Sequence, residues 1–289
     1  MRKLLEDSEL AREFDILLAP GQLEHKLTDY LAAPDASFLA LEDGVPAGFT
    51  IAFALPEVGG SLRGAVRVAV ATRFRRRGLG TAMLERATQA FAARPGQRPH
   101  TIEVAAWQPS PAGDGFAARH GFTHARWFWR MHRAPRPVPV PDWPAGVTTR
   151  VFDGSDAMVR DWTGVYNDSF AHHWGFIPAS EDDARKIAAD PLFLKGGLVL
   201  AYRDGSIAGF CRNEAVGTTG VIGVLGTAES ARGIGLGRAL LRWGIGQLEG
   251  AGFEKVALLV DGENETALRL YRSEAFEIER TRRIWNRPA

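Results

Sequence analysis

The chain has 289 residues, 45% of them hydrophobic and 24% charged, with a formal net charge of +1. That length suits two cores of about 140 residues better than one. So small a charge supplies no global field to draw in nucleic acid or an anionic membrane, and the single cysteine, Cys211, excludes an intrachain disulfide and any cysteine-based zinc cluster.

In chain order, "MRKLLEDSELAREFD" is too charged for a signal peptide and reads as helix. No apolar run approaches the roughly 20 residues of a membrane span, so a cytoplasmic protein is expected. "EDGVPAGFTIAF" (42–53) places two strands around Asp43-Gly44, a hairpin signal. A third strand, "GAVRVAV", runs into "RFRRRGLG" (73–80) and then a helix with Met83, Leu84, Ala87 and Phe91 at helical spacing. "TIEVAAW" reads as a buried strand. "PSPAGDG" carries two prolines and two glycines, which predicts a short or broken helix before "RHGF". A strand rich in Trp127, Phe128 and Trp129 follows.

"APRPVPVPDWPAG" (134–146) has five prolines in thirteen positions and reads as an extended, semi-rigid linker. Beyond it, "VTTRVFD" is a candidate opening strand, with no counterpart at the start of the first half. His172, His173 and Trp174 fall at a break before a helix capped by Ser180, where "SEDD" supplies first-turn acids. "RDGSIAGFCRNE" (203–214) is a second hairpin on Asp204-Gly205, with Cys211 as a packing residue, and "GVIGVLG" a second third strand. "ARGIGLG" (231–237) opens a helix with Leu241, Ile245 and Leu248, ahead of "KVALLV" and "NETALRLYRSEAF" (264–276). "ERTRRIWNR" (279–287) reads as a solvated edge strand whose charges discourage pairing.

The halves repeat one another. Ala47-Gly48-Phe49 matches Ala208-Gly209-Phe210; Arg75, Gly78 and Gly80 match Arg232, Gly235 and Gly237; Phe122 matches Phe276. The offsets drift by only a few residues, as loop indels between two copies of one domain would produce. The predicted fold class is α+β, a mixed central sheet with helices on both faces, present twice: residues 1–133, the linker 134–146, and 147–289.

A strand entering R-x-x-G-x-G and then a helix aims several backbone N–H groups at one point, with the helix dipole behind them, which suits a pyrophosphate. Neither G-x-x-x-x-G-K-[ST] nor a G-x-G-x-x-G opening a βαβ unit is present. With "RRRGLGTAML", "RGIGLGRALL" and "NETALRLYRSEAF" in these contexts, the chain resembles the GNAT acyltransferase superfamily over nearly its whole length. The two-domain arrangement resembles mycothiol synthase-like tandem proteins.

The resemblance implies acetyl-CoA as cofactor. In the second copy, the backbone of Arg232, Gly233, Ile234, Gly235, Leu236, Gly237 and Arg238 would hold the pyrophosphate, with Asn264 nearby. The strand edge at Leu225, Gly226 and Thr227 would pair with the pantetheine arm. The first-copy equivalents are Val68, Ala69 and Val70, with Arg75, Arg76, Arg77, Gly78, Leu79, Gly80 and Thr81; the extra arginines, Arg73 included, would grip the 3′-phosphate or be solvated.

By the same resemblance Tyr271 protonates the departing coenzyme A sulfur; its alternative is a tyrosine that packs helix on sheet. Asn264 is a candidate cap of that helix. Ala117 and Ser110 stand opposite Tyr271 and Asn264, so the first copy, lacking a hydroxyl, is read as non-catalytic with an intact phosphate loop. Relatives of the mycothiol synthase kind carry a glutamate on the strand ahead of the loop, where this chain has Val221, which puts that acceptor chemistry in doubt. Glu214 is the remaining candidate base, against a solvated edge glutamate or an ordered water.

His172, His173 and Trp174 are candidate acceptor-pocket residues or a packing corner, and no metal is expected. The function expected is N-acetylation of a primary amine on a small molecule by direct attack in a ternary complex, in a monomer or homodimer, with no nucleic-acid or membrane partner. A non-catalytic acyl-CoA-binding sensor or scaffold is the alternative.

Overall fold

A computed structural model describes residues 33–57, 60–94, 96, 98–190 and 193–289. The helix-like start and the question of an opening strand in the first copy lie outside the described residues. Both Asp-Gly pairs turn hairpins with two consecutive positive φ angles, 51° and 77° at Asp43-Gly44 and 51° and 84° at Asp204-Gly205. This is the turn whose twist matches the flanking strands.

The chain forms two compact units, one running to Phe128 and taking in Arg280–Ala289, the other comprising Trp129–Glu279. The first holds β1 (Phe38–Glu42), β2 (Val45–Pro56), β3 (Leu62–Val70), β4 (Thr101–Gln108), the start of β5 (Thr123–Arg133) and most of the last strand, β11 (Glu277–Pro288). Its helices are α1 (Leu79–Ala92) and α2 (Pro111–Arg119). β1, β2 and β3 pair antiparallel, and β3 pairs parallel with β4. Val66, Leu84, Phe91, Ile102 and Trp285 form its core.

The second unit holds β6 (Val147–Val151), α3 (Asp156–Phe170), α4 (Glu181–Ala188), β7 (Phe193–Arg203), β8 (Ser206–Val216), β9 (Thr219–Thr227), α5 (Leu236–Gly250), β10 (Val256–Asp261) and α6 (Glu265–Ser273). β6 to β9 pair antiparallel in sequence and β9 pairs parallel with β10, repeating the first unit's order. α5 lies so close to the sheet that a Cβ at Gly244 would sit 2.8 Å from both Cys211 Sγ and Ile222 Cδ1. Cys211 is fully buried there, and burial pushes its thiol pKa up.

Two expectations are corrected. α2 is neither short nor broken: it has nine residues, as α6 does. Pro111 occupies its first position, where a missing N–H costs nothing, behind a Ser110 cap. "ERTRRIWNR" is no free edge, since β11 pairs antiparallel with β4 from Thr281↔Gln108 to Pro288↔Thr101. Its arginines lie along aromatic faces, Arg280 over Trp107 at 5.0 Å and Arg283 over Trp285 at 5.1 Å, so their stems cover apolar surface. β11 falls mostly in the first unit, while Trp129–Arg133 of β5 falls in the second, where β5 neighbours β10.

Candidate active site

The R-x-x-G-x-G segments fold alike. Gly78 and Gly235, each just before its helix, have φ of 84° and 91°, a region that side chains with a Cβ rarely adopt. Arg76 and Gly233 are left-handed as well, at 66° and 80°. Twisted this way, the backbone leaves donors unused. Among the described residues no acceptor faces the N–H groups from Gly233 to Gly237, or from Arg76 to Thr81. Each motif's first arginine straps the loop instead of reaching into it: Arg75 Nε donates to the Val70 carbonyl at 2.9 Å, and Arg232 Nη2 to the Ser169 carbonyl at 3.3 Å. Two of the extra arginines turn outward. Arg77 pairs with Glu42 at 2.8 Å and Arg73 stacks on Phe74.

Ahead of each loop the parallel strands part. β3 and β4 pair only over Arg63–Val66 and Thr101–Val104, β9 and β10 only over Gly220–Ile222 and Val256–Leu258. In the first unit the parting opens into a cavity of about 410 Å³ that runs from Val66 and Val104 past Arg75, Arg76 and Gly78 to Phe116 and Trp285. Val68, Val70, Leu79, Gly80 and Thr81 line it too, whereas Ala69 and Arg77 do not. Arg119, which sequence reasoning passed over, also lines it.

Of the two strands that run into the loops, only the second unit's β9 carries a bulge. Arg212 faces Val224 and Asn213 faces Ile222, so Gly223 is an extra residue in β9, close to Leu225, Gly226 and Thr227. The β2–β3 register runs unbroken from Gly48↔Val70 to Pro56↔Leu62. Glu214 stands directly across from Val221, and a Cβ at Gly223 would meet its Oε1 at 2.5 Å. Arg212 Nη2 holds the Glu214 carboxylate at 2.6 Å. On the same face Tyr166 packs with Phe170, Phe176 and Phe210, and burial raises its pKa against the opposing influence of Arg212. His172 is exposed and Trp174 half-buried, while the exposed His173 sets its ring edge-on to Phe170 at 4.8 Å.

Tyr271 sits on α6, 9% exposed, edge-on to Phe276 at 6.0 Å. Its hydroxyl has no hydrogen-bond partner among the described residues. Burial, then the nearby Cys211, raises its pKa above the ordinary tyrosine value. Asn264 Oδ1 caps α6 by accepting from the Ala267 N–H at 3.0 Å, as Ser110 Oγ caps α2 by accepting from Gly113 at 3.2 Å. The Phe276 N–H donates to the Tyr271 carbonyl and the Phe122 N–H to that of Ala117, both at 3.0 Å. Ala117 thus occupies the tyrosine's place by hydrogen bonding as well as by count.

Where the second copy has Ala257 against Val221, the first has Glu103 against Ala65. Glu103 is 2% exposed, with Arg67 Nη2 at 2.5 Å and Arg63 Nε at 3.3 Å. Arg67 is the first residue of β3 beyond its pairing with β4. Strand alternation sends its side chain away from the face on which Val66, Val68 and Val70 line the cavity. An ion pair therefore spans the parted strands from behind. Local sequence gave no sign of a contact between positions so far apart.

The acetyltransferase (GNAT) family matches residues 4–122 and again 158–276. A mycothiol acetyltransferase of Frankia casuarinae is 35% identical over 264 residues, covering 85% of this chain and 74% of the relative. One from Thermomonospora curvata is 35% identical over 257 residues, 88% and 82% of the two chains. The fold is that of a GCN5-related N-acetyltransferase from Sphaerobacter thermophilus, with TM-score 0.77, 24% identity, and 93% and 85% of the two chains covered. A tandem GNAT protein of the clavulanic acid biosynthesis pathway superposes with TM-score 0.67 at 17% identity over 89% and 84%. Two matched segments, two copies of one strand order and two phosphate-type loops agree: the chain belongs to the acetyltransferase (GNAT) family and is a tandem N-acetyltransferase.

Proposed function

We propose that the chain moves the acetyl group of acetyl-CoA to a primary amine of a small molecule, by direct attack in a ternary complex, and that the second copy performs the chemistry. One observation carries the placement: among the described residues, the second copy alone joins the bulged, parting strand to a buried tyrosine, whose hydroxyl has no partner among them. The unused N–H groups from Gly233 to Gly237 fit a pyrophosphate, and the parted edge at Leu225, Gly226 and Thr227 fits an amide-bearing arm laid along it as an added strand. When bound there, acetyl-CoA supplies the activated acyl group.

The backbone N–H near Leu225 polarises the thioester carbonyl, and Tyr271 gives its hydroxyl proton to the leaving sulfur. Glu214, fixed by Arg212, accepts the proton that the amine gives up as its nitrogen bonds the acyl carbon. The relatives' name points to a mycothiol-type acceptor. The carboxylate missing at Val221 is available one strand over, from Glu214 directly opposite. Phe176, Trp174 and His173 would shape the acceptor pocket.

The first copy has Ala117 for the tyrosine, an unbulged β3, and the Arg67–Glu103 pair behind its parted strands. Its cavity supports a site that holds coenzyme A without turning it over. Incubating the protein with acetyl-CoA and a panel of amino acids, aminoglycosides, polyamines and amino sugars is expected to release free thiol with at least one of them. Tight acetyl-CoA binding with no thiol release on any amine would favour a sensor instead.

A further inference from the structure

The phosphate-loop helix and the tyrosine helix are joined by a charge cluster, centred on one buried carboxylate, that the chemistry above does not use. Arg238 and Arg242 lie one turn apart on α5 and so share a face. Between them they grip Glu274, the residue that ends α6 and is only 8% exposed. Glu274 Oε1 accepts from Arg238 Nη1 at 2.7 Å and from Arg242 Nη2 at 2.9 Å; Arg242 Nε reaches both carboxylate oxygens at 3.1 Å. Arg238 Nη1 also donates to Ser273 Oγ at 2.9 Å.

The Glu274 backbone N–H donates to the carbonyls of Leu270 and Tyr271 at 3.2 and 3.1 Å, so the gripped carboxylate is tied to the turn that carries the tyrosine. Burial alone would raise the Glu274 pKa, but the hydrogen bonds from Arg242 and Arg238 outweigh it and hold the carboxyl below its ordinary value.

The first copy has a contact between the same two helices with different chemistry. Thr81 Oγ1 lies 3.0 Å from His120 Nε2, a hydrogen bond in place of the arginine–carboxylate grip, and the residue one turn back is Ala117. The charged grip accompanies the copy that has a hydroxyl to place.

We propose that Glu274 is a positioning residue for Tyr271: gripped by Arg238 and Arg242, it locks the tyrosine helix to the helix that begins at the phosphate loop, and so fixes the hydroxyl against the leaving sulfur. This rests on the assignment of Tyr271 as proton donor. A merely structural ion pair would change stability and leave the tyrosine's contribution untouched. The two cases separate in a double-mutant cycle on the full chain, read as kcat and KM for acetyl-CoA by thiol release.

In the wild-type background Glu274→Gln is expected to lower kcat about 10-fold while KM changes less than about 3-fold. In the Tyr271→Phe background the same substitution is expected to change kcat by less than about 2-fold, because the group being positioned is gone. Equal losses in both backgrounds would overturn the positioning role. A Tyr271→Phe variant with full activity would instead sink the proton-donor assignment. Should Glu274→Gln not fold, Arg242→Gln leaves the Arg238 contact in place and is expected to show the same non-additive pattern; additive losses there overturn the proposal equally.

Discussion

Tyr271→Phe is expected to lower kcat by about 100-fold or more, the scale of a lost general acid. KM for acetyl-CoA should stay within about 3-fold, since the hydroxyl acts on the departing sulfur and little in the ground state. Stability should hardly change. The phenolic oxygen has no partner among the described residues to orphan, and the ring's edge-on contact with Phe276 survives the substitution. With its pKa raised by burial and by Cys211, the tyrosine stays protonated throughout the neutral range, as a proton donor must. Thiol-release kinetics on an accepted amine measure this; a variant with wild-type kcat contradicts the role.

Glu103→Gln is expected to be the most destabilising of these changes, by about 3–5 kcal/mol, because removing one member of a buried ion cluster strands the others. The carboxylate is 2% exposed and bridges Arg67 and Arg63. Its burial favours the neutral acid, but the charges of Arg67 and then Arg63 prevail and hold the pKa below the usual 4.5. A depressed carboxylate pKa means the unfolded state binds the proton first. The stabilisation is therefore complete above pH 4.5 and is lost as pH falls through the folded-state value. Urea unfolding should show a wide gap between wild type and variant at neutral pH that narrows in acid; a constant gap would contradict the ionised pair. Turnover per folded molecule is expected to stay within about 2-fold if, as proposed, the chemistry belongs to the other copy.

The features legible in the sequence were those whose physics is local. The Asp-Gly turns and the caps at Asn264 and Ser180 each depend on a few neighbouring residues, and each was readable from them. α2 was misjudged because its prolines were counted rather than placed; Pro111 at a first helical position is compatible with a helix, whereas one turn later it would not be.

The remaining features are long-range. Nothing within "RWFWRMHR" or "ERTRRIWNR" records which sheet the strand will join, so the destinations of β5 and β11 were hidden. The Gly223 bulge exists only relative to β8. Glu103 and Glu274 gave no local signal, since each owes its role to arginines that arrive from other elements.

The claim on which the whole account turns is that the second copy reacts and the first does not. It is tested most directly by comparing Gly235→Val with Gly78→Val. Both put a β-branched residue where φ is 91° or 84°, which forces the loop out of shape and scatters its N–H groups. Neither would-be Cβ meets another atom within 4 Å, so the effect is confined to the loop. The measurement is kcat/KM for acetyl-CoA by thiol release. Gly235→Val is expected to lower it by more than about 10-fold and Gly78→Val to leave it within about 2-fold. Loss of activity in Gly78→Val with retention in Gly235→Val would contradict the account.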